Sequence, residues 1–436
     1  MISPLVSADP TTLDPEEIFA QLPPNRCGES DRAYMEEVLA DGFGNRESAD
    51  MLGRFETAFA EKFGVDYAIS HNSGSGTMLS ALLAQGIGPG DEVIVPSCTM
   101  ASTAFVVCQC GAVPVFADSD PRTFNMDPAD VARKITEHTR ALIPVSLFGL
   151  PADYDSLLLL ADAHGLALIE DNAQCFLATY NGRLAGTFGA AASFSFQGSK
   201  HMTSGGDGGM VIAGDEDYAR DIRKAAVCGY RTLEARPGST MIPRDERQDW
   251  SYQRHDQVGY NFRMSAPQAA LGLGQLQRLD YLVAARRYIA SQYEAVIRDT
   301  RCAWLTPPYV PENTTHSYWC YTCTLDEEML GADWRTFRKA FIEHGGDGLY
   351  GVWTPVHLEP IFQNIEDRAP NFDPRYKGQV KSYNEGDCPN VEAFRRRICL
   401  FKTGMQTLDK VRAQVDALGA TIRYFAGSNS IASPTA

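Results

Sequence analysis

Short apolar runs of strand length alternate with segments of helical length through the first half of the chain. No other feature restricts its fold as strongly. Strands read over Val113–Ala117, Ala141–Leu147 and Leu166–Glu170 are interleaved with helices over Ala101–Cys110, Pro128–Glu137 and Tyr154–His164. Nearly continuous apolar strands linked by helices fit a mostly parallel sheet covered on both faces, an α/β domain. Ligands of such sheets bind beyond the carboxyl ends of the strands, so chemistry is sought there.

The same alternation begins upstream. RFETAFAEKFG reads as a helix closed by Gly64, and HNSGSGT leads into a helix whose apolar side carries Met78, Leu79, Leu82 and Leu83. A long helix over Arg278–Arg298 continues one that begins near Ala266. Past Pro307–Pro308 the pattern changes to HSYWCYTCTLD, a helix at Trp334–His344 and a last helix at Lys410–Tyr424. The expected organisation is an N-terminal arm (1–30), a large domain (31–290), a smaller α+β domain (291–426) and a disordered tail (427–436).

A formal net charge of -16 over 436 residues argues against a nucleic-acid surface, which needs clustered Lys and Arg. The opening MISPLVSADPTTLDPEE has neither the basic nor the apolar region of a signal peptide. No apolar run reaches membrane-spanning length. Eleven scattered cysteines suit reduced thiols in a cytoplasm rather than a disulfide framework. Cys108 and Cys110 fall at the end of a buried helix. Cys320 and Cys323, three apart on a strand, point to opposite faces and cannot share a metal.

Three features carry chemistry. Lys200 follows the apolar run Ala191–Phe196 and precedes a glycine cluster, Gly205–Gly209, with Phe194 and Phe196 expected to wall it. Poor solvation there favours the neutral amine, which can attack a carbonyl; a lysine on a hairpin loop is otherwise an ordinary surface residue. Asn72–Thr77, at a helix start, offers backbone N–H groups and hydroxyls to a phosphate. Asp171 ends a buried strand, placed either to cap a turn or to pair with a protonated ring nitrogen. Cradle, carboxylate and lysine together are what pyridoxal 5′-phosphate (PLP) needs, and their order fits a fold-type-I PLP enzyme.

With these residues in place, the chain resembles the DegT/StrS-type sugar aminotransferases from about Phe55 to Met405. The stretches that carry the likeness are RFETAFAEKFG, SGTMLSALLAQGIGPGDEVIVPS, GAVPVFADSDPRTFNMDP, LIEDNAQ, AGTFGAAASFSFQGSKHMTSGGDGGMV and GYNFRMSAPQAALGLGQLQRLD. The resemblance implies a large domain with a mostly parallel, seven-stranded sheet and a smaller C-terminal α+β domain. It implies Lys200 as the Schiff-base lysine, Asp171 as partner of the pyridine nitrogen and Gln174 beside the ring. Ser75, Gly76, Thr77 and Ser195 would bind the phosphate. Asn261 would reach the phosphate of a neighbouring subunit's cofactor, so a homodimer with shared sites is part of what the resemblance implies. The family usually carries a ring-stacking aromatic where this chain has Met100. HGGDGLYGVWTPVHLEPIF and GDCPNVEAFRRRICLFKTGM look most like the branch that aminates keto-cyclitols such as scyllo-inosose with L-glutamine, with Tyr350, Trp353 and His357 as acceptor-pocket candidates. The alternatives are amination of a nucleotide-linked keto-sugar with L-glutamate, and a PLP-binding regulatory protein without turnover.

Overall fold

The computed structural model describes residues 8, 9, 12, 14–43, 50–365 and 382–431, with side chains through 427. Its centre is a seven-stranded sheet: β1 (Tyr67–His71), β2 (Glu92–Pro96), β3 (Val113–Ala117), β4 (Thr139–Leu142), β5 (Ala167–Asp171), β6 (Ala191–Ser195) and β7 (Gly209–Ala213). The spatial order is β1-β7-β6-β5-β4-β2-β3. Only β7 runs against its neighbours β1 and β6, while the other pairings are parallel. The carboxyl ends of β1, β2, β5 and β6 therefore share one edge of the sheet. The regular part of β4 ends at Leu142, but its pairing runs on: Ile143 N donates to Ile94 O, Asp171 N donates to Pro144 O and Val145 bridges Asp171 before a 3-10 turn at Leu147–Gly149.

The main helices are α1 (Pro15–Ala20), α2 (Glu29–Ala40), α3 (Met51–Phe63), α4 (Gly74–Ala84), α5 (Ser102–Gln109), α6 (Pro128–Lys134), α7 (Tyr154–His164), α8 (Glu216–Ala226), α9 (Ala266–Gln277), α10 (Leu279–Asp299), α11 (Trp334–Glu343) and α12 (Leu408–Ile431). α3 shows why the sequence folds this way. The Asp50 side chain caps the Gly53 N–H, and Gly64 ends the helix in a left-handed conformation (φ 66°) that favours glycine. Met51, Phe55, Phe59 and Phe63 recur every fourth residue, so one stripe is apolar and buried. That stripe packs on β6, with ring centroids 5.3 Å apart for Phe59–Phe194 and 5.4 Å for Phe55–Phe196. Each buried phenylalanine contributes about 1.5–3 kcal/mol.

This packing corrects one expectation. Phe194 and Phe196 do not wall Lys200; strand alternation turns both into the α3 core and leaves Ser193 and Ser195 on the opposite face.

β8 (Leu305–Thr306), β9 (Cys320–Leu325) and β10 (Ile398–Lys402) form a second, antiparallel sheet. α10 and α12 pack together beside it, and α9 is separated from α10 by a break at Arg278 (φ -111°, ψ 15°). Cys320 and Cys323 do face different cores. Among the described residues no cluster of His, Cys, Asp and Glu could hold a metal, and no helix is long and apolar enough to cross a membrane. All eleven cysteines are free thiols. Within the expected N-terminal arm, α1 packs on α10 and α12 and buries Ile18 and Phe19. One terminal expectation needs correction. α12 runs on to Ile431 instead of stopping near Tyr424, and 432–436 lie outside the described residues.

Candidate active site

At the shared strand edge β1 turns through Asn72–Ser73 into α4. The Ser73 hydroxyl caps the Gly76 N–H at 3.1 Å. A Cβ at Gly74 would lie 2.9 Å from that of Ser195, so only glycine lets the helix start approach the end of β6. Ser75 is half-buried at this N-terminus, where unpaired N–H groups and the helix dipole favour an anion. Thr77 faces inward; its hydroxyl lies 2.5 Å from both Gly74 O and the Ser193 hydroxyl. Ser195 is buried, with its Oγ accepting from Gln197 N at 3.3 Å.

β5 delivers two acids to different tasks because adjacent strand residues face opposite ways. Glu170 is buried and accepts N–H bonds from Gly186, Phe188 and Gly189, which fixes the following loop. Asp171 faces the strand-edge site. Its carboxylate accepts from Ala173 N at 3.1 Å and from the Thr103 hydroxyl at 3.0 Å, and Thr103 in turn meets the Thr99 hydroxyl at 3.2 Å. Burial raises the Asp171 pKa, while the two hydrogen bonds and the nearby Lys200 charge pull it back. Gln174 is also buried; its Oε1 accepts from Phe148 N at 2.9 Å, from a backbone held left-handed at φ 58°.

Lys200 lies on the loop after β6 with its Nζ 4.8 Å from the centre of the Trp319 ring. Desolvation, opposed by Asp171 and aided by Arg286, lowers its pKa to about 8. Trp319 stacks with Trp353 and Phe148 at 6.4 and 6.5 Å. The loop is clamped from outside: Arg26 donates to the carbonyls of Gly198, Lys200 and His201, and Arg286 donates to the Lys200 carbonyl at 3.2 Å. Beside the clamp lies a cavity of about 700 Å³, bordered by Arg26, Ser199, Arg286, Trp319, Tyr350 and Lys402. Neither Lys200 nor Asp171 lines it.

The other expected residues are spread more widely. Met100 is 54% exposed just before α5, and Asn261 is exposed on a segment whose neighbour Phe262 accepts from Asn72 N at 2.7 Å. Tyr350 is exposed at the cavity, with Lys402 Nζ 5.5 Å from its ring centre. His357 is fully buried, its Nδ1 on the Ser97 hydroxyl (2.5 Å) and its Nε2 on Glu392 (2.9 Å), so neither ring nitrogen is free. Sequence reasoning missed Thr103, Arg26, Trp319 and Arg286. Thr103 had a signal, four residues from Thr99; Arg26 had none, since its segment shows no periodicity.

Residues 25–377 match the DegT/DnrJ/EryC1/StrS aminotransferase family, most of the chain including both strand-end residues. The chain belongs to that family. This DegT-type protein is 42% identical over 311 residues to the GDP-perosamine synthase of Caulobacter vibrioides, covering 71% of this chain and 78% of that protein. It is 38% identical over 290 residues to L-glutamine:2-deoxy-scyllo-inosose aminotransferase of Streptomyces lividus, covering 65% of each chain. Among solved structures, the aminotransferase from Psychrobacter cryohalolentis aligns with a TM-score of 0.79 at 28% identity, over 92% of this chain and 98% of that one. The DegT-type chain is thus a fold-type-I aminotransferase that uses PLP.

Proposed function

We propose that this aminotransferase carries an amino group from an amino-acid donor to the ketone of a nucleotide-linked sugar, in two half-reactions at one site. The observation that carries the assignment of roles is the placing of two titratable groups at one sheet edge: buried Asp171 ends β5, and half-buried Lys200 lies on the loop after its parallel neighbour β6. Asp171 is a buried carboxylate hydrogen-bonded only by neutral groups, a donor set with room for a cation such as a protonated pyridine nitrogen. Gln174 borders the same edge. Ser75, Gly76, Thr77 and Ser195 form the phosphate cradle, and exposed Asn261 reaches the partner subunit's phosphate in a homodimer. PLP supplies the electron sink that makes the donor's α-proton acidic. Lys200, held partly neutral by desolvation, takes that proton at Nζ and later returns one to the acceptor carbon. Met100 packs its thioether where an aromatic ring would stack. Eleven free thiols support a reducing, cytoplasmic setting.

The acceptor order follows from relatedness. The 42% identical relative is named for a GDP-linked sugar, and the 38% identical one for a cyclitol. A keto-cyclitol with L-glutamine is therefore the second reading.

The test is the visible spectrum of the PLP-loaded protein with L-glutamate or L-glutamine added separately. The donor-treated enzyme is then given a GDP-linked keto-sugar or 2-deoxy-scyllo-inosose, and products are weighed by mass spectrometry. Amination of the nucleotide-linked sugar is expected; amination of the cyclitol alone would reverse the order. No spectral response to either donor would set aside both donors and call for another amine.

A further inference from the structure

The resemblance places His357 at an acceptor pocket, yet the residue lies fully buried between partners from distant segments. The Ser97 hydroxyl meets its Nδ1 at 2.5 Å, and its Nε2 meets the Glu392 carboxylate at 2.9 Å. An ionised carboxylate can only accept, so Nε2 carries the proton and Nδ1 accepts from Ser97. Burial lowers the His357 pKa, opposed by Glu392, in keeping with a neutral ring. Serine, histidine and acid in line resemble a hydrolase triad. Ser97 is fully buried as well, however, and no substrate reaches its hydroxyl. What the three residues make is a tie between the C-terminal part of the chain and the end of β2. Ser97 is pinned at three points: its N–H donates to Ala117 O on β3 (2.9 Å), its carbonyl accepts from Val356 N (2.9 Å) and its hydroxyl holds His357. Glu392 sits on the short helix Pro389–Phe394 and also accepts from Gly386 N at 2.9 Å. That helix is docked on the neighbouring strand end, where Asp118 accepts from Asn390 N (2.8 Å) and Val391 N (3.0 Å).

We infer that His357 is a positioning residue for Asp171, acting through the turn that leaves β2. Two residues past the pinned serine, the Thr99 hydroxyl lies 3.2 Å from that of Thr103, and Thr103 donates to the Asp171 carboxylate at 3.0 Å. That last bond is at the long end of the O–H···O range, about 2.5–3.0 Å, so a shift of a few tenths of an ångström weakens it. Met100 is carried by the same turn. In the other direction, His357 follows Trp353 by four residues, and Trp353 stacks at 6.4 Å on the Trp319 ring beside Lys200. One buried imidazole therefore braces the surroundings of both strand-edge groups. The inference rests on the role proposed for Asp171 and adds what keeps that carboxylate in register.

The experiment uses Ser97→Ala and Glu392→Gln, which loosen His357 from opposite ends, so one variant that folds by its urea transition is enough. Cofactor-free protein is titrated with PLP. The reloaded enzyme is then mixed with L-glutamate or L-glutamine, whichever changes its visible spectrum, and the rate of change is followed against donor concentration. Each variant is expected to weaken PLP binding and to slow the saturating rate about threefold to tenfold, with the half-saturating donor concentration unchanged. Combined with Thr103→Val, neither should add a loss of its own, because both reach one carboxylate through one hydroxyl. A lowered urea midpoint with PLP affinity and rate intact would make His357 purely structural and overturn the inference. Losses that multiply with that of Thr103→Val would also overturn it, since His357 would then act by another route. Failure of the role proposed for Asp171 would show separately, as an Asp171→Asn protein that binds PLP and reacts like the unaltered enzyme.

Discussion

At the residue level the site works by setting how water reaches two titratable groups. Desolvation lowers Lys200 to about 8, so its neutral fraction rises as pH passes through 8 and is nearly complete above it. Labelling of Lys200 in cofactor-free protein by an amine-specific reagent should therefore show a midpoint near pH 8, followed by peptide mass spectrometry. A midpoint near the ordinary lysine value of about 10.4 would remove the basis for a neutral amine. For Asp171 the sign is opposite, because burial raises its pKa and hydrogen bonds restrain the rise. Thr103→Val deletes the 3.0 Å bond to the carboxylate, so the acid limb of the pH–rate profile should move to higher pH. The expected loss is about 1.5–3 kcal/mol of support for the charged form. Thr103→Ser, which keeps the hydroxyl, should restore the profile; failure of serine to rescue would assign Thr103 a packing role.

Among elements, the joint between α3, β1 and α8 holds the α4 side of the sheet. Glu56 on α3 and Arg223 on α8 are both fully buried and meet at 2.9 Å. The carboxylate also accepts from Ser70 N (2.8 Å) and from Gly238 N (2.8 Å), which ties β1 to the segment after α8. Replacing such a pair by apolar residues can be neutral, but removing one partner strands the other charge in the core. Glu56→Ala should cost about 3–5 kcal/mol and lower the urea midpoint, with the slope unchanged. A loss below about 1 kcal/mol would mean that water reaches Arg223. Other elements show how legible the sequence was. α7 and β3 have the bounds read from their apolar runs, because each is bracketed by a local stop: the Asp153 cap and Gly165 for α7, and Gly111 just before β3. β4 reads as running further than its regular ladder because pairing outlasts it: Pro144, without an N–H, interrupts the strand, yet Val145 still bridges Asp171.

For the whole molecule, the proposed homodimer gives a test that one chain cannot. If Asn261 completes the partner's site, a Lys200→Ala protein and an Asn261→Asp protein are each impaired but complementary. Mixed after mild dissociation, they form some dimers with one intact lysine facing an intact asparagine, and activity should return. No recovery, with mixed dimers confirmed by native mass spectrometry, would confine Asn261 to its own chain. The tie between the N-terminal segment and the Lys200 loop is also a whole-molecule property. α1 packs on α10 and α12 while Arg26, a few residues later, bonds to the loop carbonyls.

What the sequence determined alone is what local chemistry and periodicity can encode. Apolar runs set the alternating strands and helices, and strand parity turned Cys320 from Cys323. The cradle, Asp171 and Lys200 were visible because each stands at the end of a strand or the start of a helix. Tertiary structure decided everything that depends on distant segments meeting. It sent Phe194 and Phe196 into the α3 core, put Trp319 over Lys200, closed both nitrogens of His357 and brought Arg26 to Arg286 on one carbonyl. Residues 26, 200 and 286 share no local pattern. Only the burial of apolar surface that docks the N-terminal segment and α10 against the sheet makes them neighbours, and only burial gives their charges consequence.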